Sequence, residues 1–118
     1  MTAIAHTLAT RVEQGRTLEE VRKKDLRAGD RVLVTTRNSV YIIWVLDEGV
    51  YCVSGGWFDL RRISPQKMGI SGCTWGGTAI KQDIVAACGL HLEFGNSVRT
   101  TRIRHIRVIP AQARPSVN

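Results

Sequence analysis

The chain has 118 residues, 43% of them hydrophobic, with three cysteines and a formal net charge of +7. That size and composition suit one globular domain and exclude wholesale disorder; no run reaches the ~20 apolar residues of a membrane-spanning helix. An odd cysteine count without a CxxC pair argues against a disulfide framework, so Cys52, Cys73 and Cys88 are expected as reduced, packed thiols in a cytoplasmic protein.

In chain order, residues 1–16 read as a mobile arm. Their lack of acids before Glu13 hints at a transit peptide, but they are too poor in Arg and Ser for one. Thr17 and Glu20 make a capping-box pattern that predicts a short helix over Leu18 to Lys24. Ala28-Gly29-Asp30 is a turn. Arg31 to Thr36, Ser39 to Leu46 and Val50 to Ser54 then form a predicted β-meander, joined at Arg37-Asn38 and at Asp47-Glu48-Gly49. Ser39 to Leu46 is apolar at successive positions, as a strand covered on both faces would be, and Trp44 is expected in the core. Gly55 to Pro65 is a loop or broken strand. Lys67 to Thr74 is a strand interrupted near its glycines. Thr78 to Gly89 is compatible with a helix or with extended structure turning near Gln82-Asp83, and the second is preferred. Leu90 to Phe94 alternates, Gly95-Asn96 turns, and Val98 to Ile109 is a strand whose phase slips near His105-Ile106, as at a bulge. The expected architecture is mainly β: a small antiparallel barrel or sandwich preceded by a short N-terminal helix. It occupies residues 17–110 as one domain, with a disordered tail over 111–118.

Catalytic and metal chemistries find little support. Gly72 and Gly77 have the glycine spacing of a P-loop, but Thr78 stands where its lysine belongs, which leaves at most a looser anion-binding nest. Cys88 and His91 offer a single C-x-x-H pair, with Cys73 and His105 as remote candidates, and a structural zinc site normally shows two close pairs. No Ser, Cys or paired-carboxylate motif accompanies His91 or His105. The expectation is therefore no catalytic residue, no metal and no cofactor.

Charge and aromatics point instead to binding. Arg99, Arg102, Arg104, Arg107 and Arg114 crowd the end of the chain, where no acid follows Glu93. Trp57 and Trp75 each adjoin a Gly-Gly pair and suit stacking on unpaired bases. Arg99, Arg102, Arg104, Arg107, Trp57 and Trp75 are thus the candidate nucleic-acid-binding residues, reading shape and charge rather than sequence. The alternative is an oligomeric or protein-interaction module that regulates or inhibits a partner, its arginines meeting a copy of itself or an acidic protein.

The segments Gly72-Cys73-Thr74-Trp75-Gly76-Gly77-Thr78, Ile80-Lys81 and Gly89-Leu90-His91-Leu92-Glu93-Phe94 resemble a family of small bacterial proteins without an assigned activity. Arg37-Asn38-Ser39-Val40-Tyr41 and Ser54-Gly55-Gly56 fit the same pattern. The resemblance spans residues 28 to 109; it implies one compact domain and transfers no functional residue.

Overall fold

A computed structural model describes residues 16–111, so all but the last residue of the predicted N-terminal arm and all but the first residue of the predicted tail lie outside the described residues. The predicted helix over Leu18 to Lys24 does not form. The chain makes two short strands instead, β1 (Arg16–Thr17) and β2 (Glu20–Arg22), followed by a 3-10 turn at Lys23–Asp25. The capping-box pattern was a local signal, and tertiary pairing overrides it. Thr17 lies opposite Arg107, and Val21 is buried opposite Ala86. A two-turn helix with so thin an apolar stripe is marginal in water, whereas the extended form satisfies its backbone against strands already in place.

The meander forms as expected: β3 (Arg31–Thr36), β4 (Val40–Asp47) and β5 (Val50–Gly55) pair antiparallel in sequence. The Gly55 to Pro65 stretch contains a helical turn, α1 (Gly56–Leu60). Beyond it the next predicted strand breaks at Gly69 into β6 (Gln66–Met68) and β7 (Ile70–Thr74). Residues 79–88 are extended: β8 (Ile80–Lys81) turns at Gln82-Asp83 into β9 (Ile84–Ala87). β10 (His91–Phe94) and the long β11 (Arg99–Ile109) complete the fold.

β11 organises the molecule. Its first part pairs with β10, its second with β3 and β1, and the register slips between Ile103 and His105. The resulting sheet runs β6-β5-β4-β3-β11-β10-β7-β8, with β2 and β9 forming a separate ladder. The ends β6 and β8 do not pair with each other, so of the expected barrel or sandwich the closed barrel does not form.

The core lies on one face of this sheet. Val32, Val34, Ile43, Val53 and Ile106 project inward from their strands, and each is worth about 2 kcal/mol of apolar transfer. β9 is buried along its whole length. At one end, Phe58 of α1 meets Phe94 edge-to-face at 4.9 Å, and Tyr41 packs on both rings. The Tyr41 hydroxyl accepts the Trp57 N–H at 3.2 Å and so fixes the helical turn on β4. At the other end, Asp30 is buried and accepts the N–H groups of Arg27 and Ala111 at 2.9 Å each, tying the turn before β3 to the chain beyond β11.

Candidate interaction surfaces

Residues opposite one another in a pleated sheet share a face, so the register defines what the outer face presents. One row across the strands reads Ile109, Arg31, Trp44, Cys52, Lys67. The next reads Thr17, Arg107, Leu33, Ile42, Ser54. A third contains His105, Thr35 and Val40. Along β4 the outward positions are Val40, Ile42, Trp44 and Leu46, exposed by 48%, 38%, 47% and 44%. The strand expected to be covered on both faces is therefore covered on one, and Trp44 is outside the core. Periodicity could not reveal this, because both alternating sets of β4 are apolar.

No acidic residue occurs in these three rows, while Arg31, Arg107 and Lys67 all do. The Arg31 guanidinium sits 5.3 Å from the centre of the Trp44 ring, a cation–π contact at the middle of the stripe. This stripe went unpredicted. Its only signal in the sequence was an excess of apolar side chains over what one buried face of β4 requires.

The predicted nucleic-acid-binding residues do not converge on one surface. Arg99 is tied to Glu93 at 2.7 Å and donates to the carbonyls of Gly76 and Gly77 at 3.3 and 3.0 Å. It clamps the loop between β7 and β8. Because that loop turns carbonyls toward a guanidinium, those oxygens face a cation rather than the anion a backbone nest would hold. Arg102 donates to the Gly89 carbonyl at 2.7 Å. Arg104 is exposed on the far side of buried Ile103, and Arg107 is half-buried beside Leu33 on the outer sheet face.

The two predicted stacking residues differ. Trp75 is 55% exposed, with Lys81 Nζ 5.1 Å from its ring centre. Trp57 is half-buried, edge-on to Phe58 at 5.2 Å and capped by Arg61. Trp57 therefore belongs to the edge of the core, and Trp75 is the more accessible ring.

The cysteines and histidines are engaged singly. Cys73 is buried and its thiol points to the Val85 carbonyl at 3.6 Å; burial pushes its pKa up to about 12. Burial also raises the Cys88 thiol, with nearby Glu19 adding to the shift. His91 Nδ1 lies 2.8 Å from the Thr100 carbonyl, half-buried between strands. No helix among the described residues is long and apolar enough to cross a membrane. Comparison of the chain with protein-family models, with curated proteins and with solved structures returns no match.

Proposed function

We propose that this protein is a docking module that binds an acidic protein partner on the outer face of β3, β4 and β5. The observation that supports it is the exposed stripe Val40, Ile42, Trp44 and Leu46, the first three of which stand in rows that hold three cations and no acid. Contiguous exposed apolar surface rimmed by polar groups marks interaction sites. Trp and Arg at its centre are the residue types that dominate binding energy at interfaces. Charge decides among occupants: a second copy would bring another net +7 onto a cationic face, whereas an acidic partner gains electrostatic steering.

Calorimetric titration with a synthetic amphipathic peptide of alternating Leu and Glu tests this reading. Binding should weaken with salt, fall at least tenfold in Trp44→Asp, and disappear when Lys replaces Glu in the peptide. Equal binding of the acidic and basic peptides would overturn it.

A second reading, nucleic-acid binding, draws on exposed Trp75 with Lys81 beside it and on Arg104. Base stacking there is worth about 1–3 kcal/mol per ring. Under this reading a short single-stranded oligonucleotide binds the wild type with steep salt dependence and binds Trp75→Ala roughly tenfold more weakly. Unchanged affinity in Trp75→Ala removes it.

A further inference from the structure

A cavity of about 550 Å³ opens between the 3-10 turn after β2 and the turn joining β4 to β5. Pockets of this volume accommodate small ligands. Leu26, Val45 and Tyr51 give it apolar surface. Tyr51 is only 2% exposed, yet among the described residues its hydroxyl has no hydrogen-bond partner. A buried hydroxyl left unpaired is costly, so a ligand that reaches it and supplies a partner is favoured.

The charged lining is divided by segment. Arg22, Lys23 and Lys24 come from the end of β2 and the 3-10 turn, Asp47 and Glu48 from the end of β4 and the turn after it, and Asp83 from the β8–β9 turn beside Lys23. The ion pairs among the described residues are Arg22–Glu20 and Arg99–Glu93, so Lys24, Asp47 and Glu48 line the cavity without a salt-bridge partner. Arg22 is paired with Glu20, and the Lys23 ammonium donates to the Ile70 carbonyl at 2.6 Å and feels Asp83, which leaves Lys24 as the available cation. Opposite charges that border one cavity without pairing leave room for a group carrying both signs.

We infer that this cavity binds a small aliphatic zwitterion of the amino-acid class. Its carboxylate meets Lys24, its ammonium meets Asp47 and Glu48, and its methylene chain lies on Leu26 and Val45 within reach of the Tyr51 hydroxyl. A purely anionic or purely cationic ligand leaves one set of lining charges facing an apolar chain. The site is separate from the outer sheet face, because Val45 and Tyr51 project from the opposite side of β4 and β5.

The test is a titration of the ¹⁵N-labelled chain with 4-aminobutanoate and 6-aminohexanoate, against butanoate, hexanoate, butylamine and hexylamine. The expected result is saturable shifts at the Gly49 and Tyr51 amides, with one of the two zwitterions binding at least tenfold tighter than both of its single-charge analogues. Lys24→Glu, an exposed substitution, should lower that affinity at least tenfold. Tyr51→Phe should lower it several-fold with its thermal unfolding still cooperative, and Trp44→Asp should leave it unaltered. Single-charge analogues that bind as tightly as the zwitterions, absence of saturable shifts with every compound, or full affinity in Lys24→Glu would overturn the inference.

Discussion

Gly72 shows how one residue carries a strand pairing. It holds φ of +140° in the middle of β7, and a Cβ there would overlap the Lys81 carbonyl oxygen of β8. Gly49, in the β4–β5 turn, also has positive φ, +74°, but has open space where a Cβ would stand. Gly49→Ala should therefore cost about 1 kcal/mol of left-handed strain. Gly72→Ala adds backbone overlap and should cost at least ~2 kcal/mol. Urea unfolding of the two variants measures the difference directly, and equal losses would show that β8 yields freely. Cys73 makes a second prediction at this scale. Its thiol ordinarily titrates near 9 and in the folded chain near 12. Above pH 9 the unfolded chain loses this proton while the native chain keeps it, so the stabilisation present below pH 9 is lost as pH rises toward 12. Stability of the wild type should fall by up to about 1.4 kcal/mol per pH unit from this group, and Cys73→Ala should flatten that part of the slope.

Among the elements, β4 separates what packing requires from what the outer surface tolerates. Ile43 and Ile42 are adjacent, equally apolar in sequence and opposite in fate: the first is fully buried, the second exposed. Ile43→Ala should destabilise by about 2–4 kcal/mol, whereas Ile42→Thr should stay within about 0.5 kcal/mol. Thermal and chemical unfolding of both variants checks this, and a large loss in Ile42→Thr would mean the outer face is covered within the monomer. The same pair explains what was legible in the sequence. The meander, the turn at Gln82-Asp83 and the slip in β11 were readable because turn residues and alternation agreed there. For β4, alternation carries no information, because both of its faces are apolar and a strand covered on one face has the same pattern as one covered on two. The helix expected over Leu18 to Lys24 rests on a local capping pattern, whereas the pairing of Val21 with β9 that replaces it joins segments more than sixty positions apart. Open or closed sheet topology depends on whether β6 and β8 meet, which no local pattern specifies. For the candidate surfaces, a neighbouring glycine pair marks both Trp75, which is exposed, and Trp57, which is half-buried. The carbonyl partners of Arg99 and Arg102 are distant in sequence, so no local pattern shows that these candidate nucleic-acid contacts are engaged within the fold.

At the scale of the whole molecule, a bent open sheet packs one face and exposes the other, and net charge of +7 biases the kind of partner that face attracts. Charge reversal at Arg31 and Arg107 together should slow association with an acidic amphipathic peptide at low salt and abolish most of its salt dependence, as stopped-flow fluorescence would record. The most direct test of the central claim is a chemical-shift map of the ¹⁵N-labelled protein titrated with the Leu-Glu peptide. We predict that the largest shifts fall at Leu33, Val40, Ile42, Trp44 and Cys52, with Trp75 and Gly49 little changed. Shifts centred on Trp75 and Lys81, or none on β4, would contradict it.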